Sequence, residues 1–336
     1  NIAWLRDYQR EAAMVMLRRA RGLLWIPTGG GKTEVAIALA QLLPAARFLF
    51  LVHRKDLMAQ AAERLTQRTG EIAGLVGDGV FEPHRFTCAT FQTLFRGLDT
   101  PPVKALLVQT DAILIDEVHV LPAKSFWRVV MRAGNAYFRW GMSGTPLSRS
   151  DRRDVLAVAA LGPILYRIRA QTLIEAGVLS LPRIRLVPVK QLGLADSDDW
   201  HAVYRRAVVE SPVRNAAVVR AIRRARKPCI AYVKEIEHGR RLESVLEAMG
   251  VVVEFVWGDA SLERRQAVAR RLRRGDTQVV IASVIWQEGI DLPPGTSLYT
   301  FRHSLVTLAR EAGMDLRHIA PAFGHSADTA EKIYGH

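Results

Sequence analysis

Short apolar runs of strand length alternate along the first half of the chain with stretches whose apolar residues recur at helical spacing. Because strand, helix and strand follow one another in this order, the pattern predicts a parallel sheet and an α/β fold. A helix capped by Asp7 is expected ahead of the first strand. The predicted strands are residues 23–26, 47–52, 86–90, 112–115 and 138–142, and the predicted helices are residues 5–17, 35–43 and 56–66.

The same alternation resumes at residue 183 and runs to residue 283, without a second glycine-rich turn followed by lysine. The chain has 336 residues, which is enough for about two domains. We therefore predict a first α/β domain over residues 1–165 and a second over residues 166–295. The second series is predicted as strands at 183–189, 229–233, 251–258 and 278–283 and helices at 202–226, 237–249 and 262–274.

Charge and composition narrow the class of protein. Apolar residues make up 49% of the chain, and 47 Lys and Arg against 33 Asp and Glu give a net charge of +14, which favours a polyanionic partner. No apolar run approaches the roughly 18 residues that span a bilayer, and the first residues lack the shape of a signal peptide. We expect a cytoplasmic protein without membrane contact. Cys88 and Cys229 lie in apolar runs, as buried reduced thiols do.

The first predicted strand leads into PTGGGKTE, a glycine-rich turn followed by lysine and threonine. Three glycines allow positive φ and expose successive N–H groups, and the following helix aims its positive end at the same point, so an anion is expected there. Ile26 stands where a strict P-loop has its first glycine, so the loop alone leaves a plain turn open. The P-loop interpretation assigns β- and γ-phosphate binding to Lys32, Mg²⁺ ligation to Thr33, and the rest of the cradle to Thr28, Gly29, Gly30 and Gly31.

A buried run ends directly in Asp116 and Glu117. Two acids at a strand end are common in solvated turns, but beside a P-loop they have defined roles: Asp116 holds Mg²⁺ and Glu117 polarises the attacking water. The pair therefore predicts a nucleoside-triphosphate hydrolase. Ser143, Gly144 and Thr145 close a further strand, where small hydroxyl residues can sense the γ-phosphate and relay its state.

Polar and basic residues follow two other predicted strands. His53 and Arg54 follow one, and Thr90 and Gln92 end the other. Ligands of open parallel sheets bind at the carboxyl ends of the strands, and these side chains suit phosphate oxygens, although a solvated loop is the alternative. Two arginine-rich helices leave solvated faces and phosphate contact equally open. Their arginines are Arg205, Arg206, Arg214, Arg220, Arg223, Arg224 and Arg226, and Arg264, Arg265, Arg270, Arg271, Arg273 and Arg274.

Taken in order, these motifs resemble those of the superfamily 2 helicases, nearest to the phage-type and restriction-type DExH DNA translocases, over about residues 5–293. The matching segments are LRDYQ, PTGGGKT, LVHRKDLMAQ, ATFQT, DEVH, SGT, CIAYVKEIEHG and VVIASVIWQEGIDLP. The resemblance implies two RecA-like domains that close on ATP and Mg²⁺, open on hydrolysis, and step along DNA, or RNA as the alternative. It implies an adenine-reading Gln9, a catalytic His119, nucleotide contacts at Gly289 and Asp291, and a nucleic-acid contact at Ser283.

One motif of these enzymes departs from its pattern. The family sends arginine to the γ-phosphate from the sequence Q-x-x-G-R-x-x-R, whose nearest match is residues 310–317. Met314 occupies the first arginine position, so only Arg317 is left. We therefore keep a second interpretation, a protein that binds ATP and DNA but hydrolyses ATP poorly.

Residues 297–336 instead resemble the end of a tyrosine recombinase (phage integrase) catalytic domain, through YTFRHS, EAGMDLRHI, FGHS and KIYGH. That resemblance implies a phosphate clamp at Arg302, an assisting His325 and a nucleophilic Tyr334, although Tyr299 stands where that family has histidine. We expect a short α-helical tail at residues 296–336 that does not recombine DNA by itself. A recombinase accessory is the third interpretation, after the ATP-dependent DNA helicase and the poorly hydrolysing binder.

Overall fold

The structure is a computed structural model that describes residues 2–118, 124–144, 154–181, 204–283 and 297–299, with the single positions 187, 189 and 202. These residues divide into two compact units, of which the first ends at Leu181. Several predicted site residues lie outside the described residues. They are His119, Thr145, Gly289, Asp291, Arg302, His325 and Tyr334.

Eight strands form one sheet in the first unit, in the order β4-β3-β5-β2-β6-β7-β1-β8. Neighbours pair in parallel except β3 and β4, which form an antiparallel hairpin at one edge. The predicted parallel α/β class is confirmed for this unit. The strands are β1 (Arg21–Trp25), β2 (Phe48–Val52), β3 (Gly74–Gly77), β4 (Val80–Glu82), β5 (Phe86–Thr90), β6 (Ala112–Asp116), β7 (Phe138–Ser143) and β8 (Ile164–Arg167).

Helices cover both faces of this sheet, so that β2, β5 and β6 are mostly apolar and buried along their whole length. The predicted domain boundary at residue 165 falls inside β8, a strand that pairs with β1, and the first unit continues to residue 181. The helices are α1 (Asp7–Arg18), α2 (Lys32–Leu42), α3 (Lys55–Thr69), α4 (Phe91–Arg96), α5 (Pro101–Val108), α6 (Lys124–Arg132), α7 (Asp154–Leu161) and α8 (Ala170–Glu175).

The start of α1 differs from the prediction. Asp7 lies inside the first turn and Arg6 occupies the cap position. The backbone N–H of Arg6 donates to Gln9 Oε1 at 3.0 Å, so the glutamine side chain satisfies this N–H. Asp7 still favours the helix start, because a carboxylate in the first turn complements the helix dipole.

The second unit contains a four-stranded parallel sheet in the order β10-β11-β9-β12. Its last strand lies in the segment predicted to begin a helical tail, and the second sheet therefore extends past the predicted boundary at residue 295. Residues 300–336 lie outside the described part of the chain. The strands are β9 (Cys229–Val233), β10 (Val253–Val256), β11 (Val279–Ser283) and β12 (Ser297–Tyr299).

The single helix predicted over residues 202–226 is wrong, because two segments occupy this region. A π-helical turn covers Arg205–Val209, and a separate α-helix begins at Pro212. Ser211 Oγ accepts the N–H of Arg214 at 3.3 Å and proline has no N–H to lose, so both residues favour a new helix start. The helices of this unit are α9 (Pro212–Arg224), α10 (Ile236–Ala248) and α11 (Leu262–Arg274). In the described ranges of both units, every helix is too short or too polar to cross a bilayer.

Candidate nucleotide-binding site

The strand order of the first sheet brings three predicted motifs to one edge. β6, β7 and β1 are neighbours, and the register pairs Asp116 with Met142 and Trp25 with Ser143. Their carboxyl ends therefore lie side by side, and the glycine-rich loop leaves β1 at the same level. This is the edge at which open parallel sheets bind ligands.

The glycine-rich loop has a backbone that only glycine accommodates well. Gly29 and Gly31 both have φ of 81°, in the left-handed region that disfavours other residues. A Cβ atom on Gly31 would lie 2.2 Å from Gln9 Nε2, and one on Gly30 would lie 2.4 Å from Ile26 Cγ2. Ile26 is itself fully buried, so its departure from the strict P-loop pattern supplies an apolar floor for the loop.

Two side chains of α1 hold this loop from the other side. Tyr8 OH donates to the carbonyl oxygen of Gly30 at 2.7 Å, and Gln9 Nε2 donates to the same oxygen at 3.1 Å. With its Oε1 accepting from Arg6, both ends of the Gln9 amide have protein partners. Tyr8 is a loop contact that the sequence did not single out, although it stands beside Gln9 in LRDYQ. The role of Gln9 in reading adenine stays a prediction.

Lys32 and the two carboxylates meet at the strand ends. Lys32 Nζ lies 3.3 Å from Glu117 Oε1, and Asp116 Oδ1 accepts the backbone N–H of Glu117 at 3.0 Å. Burial raises the pKa of Asp116 to about 6, the charge of Glu117 adds to the rise, and the charges of Lys32 and His53 oppose it. Ionisation of this buried carboxyl group is unfavourable without a nearby positive charge. Its surroundings therefore suit a site that binds a cation.

Glu117 is held in an unusual conformation. Its φ is +50°, a region that costs a residue other than glycine of order 1–3 kcal/mol. Ser143 Oγ donates to Glu117 Oε2 at 3.1 Å, so the carboxylate has a partner on each oxygen. The structure thus joins the predicted coupling residue Ser143 to the predicted catalytic Glu117. Gly144 follows Ser143, and a Cβ there would lie 3.3 Å from Thr28 Oγ1.

The predicted Mg²⁺ ligands fit a hard cation. Thr33 and Asp116 line the same small cavity, together with Gln60 and Arg64 of α3. Mg²⁺ prefers oxygen ligands and is commonly held by one or two side chains plus phosphate oxygens and water. One hydroxyl and one carboxylate meet that requirement.

The predicted nucleic-acid residues of the first unit lie at the ends of β2 and β5. Gln92 Nε2 donates to the carbonyl oxygen of His53 at 2.9 Å and so ties the two strand ends together. Arg54 Nη2 lies 3.6 Å from Asp56 Oδ2, as an ion pair. Thr90 is only 4% exposed, and its Oγ1 donates to Thr93 Oγ1 at 2.9 Å.

One ion pair near this edge was not anticipated. Lys55, the first residue of α3, pairs with Asp78 at the tip of the β3–β4 hairpin. Asp78 has φ of +54° between two glycines.

In the second unit, the predicted contact Ser283 ends β11 and is 6% exposed. Thr90 and Ser283 therefore present little hydroxyl surface in this structure.

Residues 3–148 match the protein family described as the type III restriction enzyme, res subunit. The chain is 25% identical to the DNA 3'-5' translocase XPB2 of Sulfurisphaera tokodaii, over 87% of this chain and 73% of that protein. It is 28% identical to a putative DNA 3'-5' helicase Rad25 of Halobacterium salinarum, over 86% of this chain and 48% of that protein. These matches support a superfamily 2 helicase.

A solved structure agrees with the fold of this chain. The helicase domain of Pyrococcus furiosus Hef superposes with a TM-score of 0.57 at 16% identity and covers 92% of each chain. At that identity the likeness extends to the fold alone, which is two RecA-like units. The chain spans about three quarters of one of the two relatives named above and about half of the other.

Proposed function

We propose that the chain is an ATP-dependent DNA helicase or translocase that couples ATP hydrolysis to movement on DNA. The observation that carries the proposal is the contact between Lys32 and Glu117 at 3.3 Å, at the sheet edge where Asp116 and Ser143 also end their strands. A glycine turn beside a surface lysine would not bury that lysine to 8% exposure against a strained glutamate.

The chemistry follows from these residues, with ATP as the substrate. Lys32 exchanges Glu117 for the β- and γ-phosphates, and the first N–H groups of α2, which have no partner within the helix, bind phosphate oxygens. Glu117, released from Lys32 and oriented by Ser143, accepts the proton of the attacking water. Thr33 and Asp116 would hold Mg²⁺, which neutralises charge on the transferred phosphoryl group when bound.

Contacts to nucleic acid are proposed in both units. Movement along a strand requires two binding sites that bind and release it alternately. His53, Arg54, Thr90 and Gln92 belong to the first unit, and Ser283 belongs to the second. The relatives are named as acting on DNA, which favours DNA over RNA for this chain. The nucleotide contacts Gly289 and Asp291, the catalytic His119 and the cytoplasmic location stay predictions.

The recombinase resemblance of the tail also stays a prediction. Arg302, His325 and Tyr334 lie outside the described residues, and the described strand β12 shows that the second sheet takes part of this segment. A covalent adduct between DNA and tyrosine would support a recombinase accessory.

The test is ATP hydrolysis by the purified chain with and without single-stranded DNA, with Lys32→Ala as the inactive control. We expect turnover that DNA stimulates and that the Lys32→Ala variant lacks. Hydrolysis that is identical in the variant would come from a contaminant and would overturn the proposal, as would an absence of both hydrolysis and nucleotide binding in the parent chain.

A further inference from the structure

Two guanidinium groups lie over one indole ring in the second unit. The guanidinium carbons of Arg240 and Arg264 are each 5.4 Å from the ring centroid of Trp257, within the range of a cation–π contact. Both arginines are exposed and the tryptophan is half-buried. Trp257 directly follows β10, whose neighbour β11 ends at Ser283, so the cluster lies at the carboxyl edge of the second sheet.

Phe255 and helix α10 hold this cluster in place from the core side. The ring of the buried Phe255 lies 5.2 Å from that of Trp257 and supports it from the core side. Helix α10 packs directly against Phe255 at Gly239, where a Cβ would lie 2.3 Å from the phenylalanine Cζ. This close approach places the next residue, Arg240, where its guanidinium group lies over the indole. A larger residue at position 239 would move Arg240 away.

The electrostatics of the cluster are unfavourable without an anion. Arg264 lies in the first turn of α11, where the helix dipole opposes a cation, and it shares the indole with a second positive charge. Within the described residues, no ion pair involves Arg240 or Arg264. Arg271 of the same helix is different, because it donates to both carboxylate oxygens of Glu254, at 2.9 and 2.5 Å.

The carboxylate of Glu243 lies close enough to Arg240 and Arg264 to interact with both charges. Glu243 Oε1 accepts the backbone N–H of Phe255 at 2.8 Å. Burial raises the pKa of Glu243, while the charges of Arg264 and Arg240 act to lower it. The charge of Arg264 also acts on Glu254, which is paired with Arg271. Three guanidinium groups against two carboxylates leave the cluster net positive.

We propose that Trp257, Arg240 and Arg264 form a binding site for one nucleotide unit of single-stranded nucleic acid. The base displaces the guanidinium groups of Arg240 and Arg264 from the indole and stacks on it, and the two groups turn to bind the adjacent phosphates. Every base presents a π-face, so stacking tolerates any sequence, and guanidinium groups match phosphate oxygens with paired donors. This inference rests on the proposed function and deepens it, because it names the residues of the second unit that hold the strand.

The site also separates the arginines of α11 by role. Arg264 contacts nucleic acid, Arg271 is structural, and Arg270 is a solvated residue of the outer face. The sequence alone left these alternatives open, since all three lie in one arginine-rich run. Arg270→Ala is therefore a matched control that removes one positive charge from the same helix.

The experiment measures the affinity of the full chain and its variants for a fluorescein-labelled oligothymidine at several salt concentrations. We expect Arg240→Ala and Arg264→Ala each to reduce the magnitude of the slope of log affinity against log salt by about 0.7, the value for one phosphate contact on a single strand. Trp257→Ala should weaken binding by about 5-fold to 100-fold with an unchanged slope, because base stacking is not ionic. Trp257→Phe should restore most of the loss.

Each outcome bears on one of the two proposals. Circular dichroism and urea unfolding identify a variant that has not folded, and in that case Trp257→Phe and the two single arginine variants still test the site. If all of them match Arg270→Ala in affinity and slope, the site is wrong while the helicase proposal stands. If the parent chain does not bind the oligonucleotide, the proposed function fails first and the site fails with it.

Discussion

Lys32 Nζ lies 3.3 Å from Glu117 Oε1, and the side chains are 9% and 20% exposed. In this structure the cation proposed to bind phosphate is thus paired with the carboxylate proposed to activate water. A buried ion pair contributes little net stability, but removal of one partner leaves an uncompensated charge. Under the proposed function ATP has to separate the two groups, so we expect nucleotide affinity and hydrolysis to be linked through this one contact.

The first prediction separates the two roles of this pair. Lys32→Ala should lose measurable ATP hydrolysis and most nucleotide affinity, because the loop loses its cation. Glu117→Gln should lose turnover but bind ATP at least as tightly as the parent, because the amide no longer holds Lys32 as an ion pair. A fluorescent ATP analogue measures affinity, and phosphate release measures turnover. Lys104→Ala, on the exposed face of α5, is the control and should change neither. Equal losses of affinity in both variants would contradict these roles.

The second prediction concerns binding to DNA. Backbone phosphates should supply most of the affinity, because the chain carries a charge of +14 and the proposed contacts suit phosphate oxygens. Affinities for oligonucleotides of unrelated sequence should agree within about threefold and fall steeply as salt rises. A slope near zero in the plot of log affinity against log salt would rule out the electrostatic account.

The sequence predicted the central strands well because they carry a strong local signal. Residues 86–90 and 229–233 are mostly apolar and became β5 and β9 with the predicted limits. The hairpin of β3 and β4 was missed because Gly74, Gly77 and Gly79 weaken any strand pattern. The helix break at Ser211 and Pro212 had a local signal that the apolar periodicity outweighed.

The site was predictable as a set of residues but not as a set of contacts. Asp116 and Ser143 each end an apolar run, and Lys32 follows the glycine-rich turn, so the place of each residue could be predicted from its local sequence. Their meeting depends on the order β6-β7-β1, which no local pattern encodes. The contact of Lys32 with Glu117 further depends on the positive φ of Glu117. The alternation of strand and helix patterns along the chain does not predict this backbone angle.

The third prediction concerns pH and the second unit. His238 Nε2 donates to Asn215 Oδ1 at 2.9 Å, and the Asn215 amide is oriented by its own bond to the Val209 carbonyl oxygen. Burial lowers the pKa of His238 to about 4, and the charges of Arg214 and Arg241 add to the effect. The unfolded chain therefore binds a proton between about pH 6.5 and pH 4 that the folded chain does not, so this contribution to stability is full above that window and lost as pH falls through it.

The measurement is urea unfolding of the parent chain and of His238→Gln, whose amide can still donate to Asn215. Between about pH 7 and pH 5 the parent should lose about 2 kcal/mol of unfolding free energy more than the variant does. Comparison with the variant removes the effects of other titrating groups. Parallel pH profiles for the two proteins would show that His238 does not titrate across this range.

The fourth prediction concerns the rate of hydrolysis. The nearest match to the arginine motif of the family has Met314 at the first arginine position, and such arginines contribute about 10³ to 10⁵ in rate in related nucleotide hydrolases. The chain as printed should bind ATP but turn it over slowly, even with DNA. Replacement of the residues after Tyr299, which leaves β12 in place, by a segment with both arginines should raise turnover. A chimera no faster than the parent would show that this arginine is not limiting.

The fifth prediction concerns the ion pair of Lys55 with Asp78. Lys55 follows the proposed contacts His53 and Arg54, and Asp78 holds its ammonium group as a DNA phosphate would. Asp78→Asn should therefore tighten DNA binding severalfold at low salt and increase the salt slope by about 0.7 to 0.9, one additional phosphate contact. The same change made together with Lys55→Ala should have no effect, since the cation it frees is gone.

Asp99→Asn, which removes a surface carboxylate paired with Arg132 at 3.4 Å, controls for net charge. An equal gain in Asp78→Asn and Asp99→Asn would mean that the hairpin does not compete with DNA for Lys55.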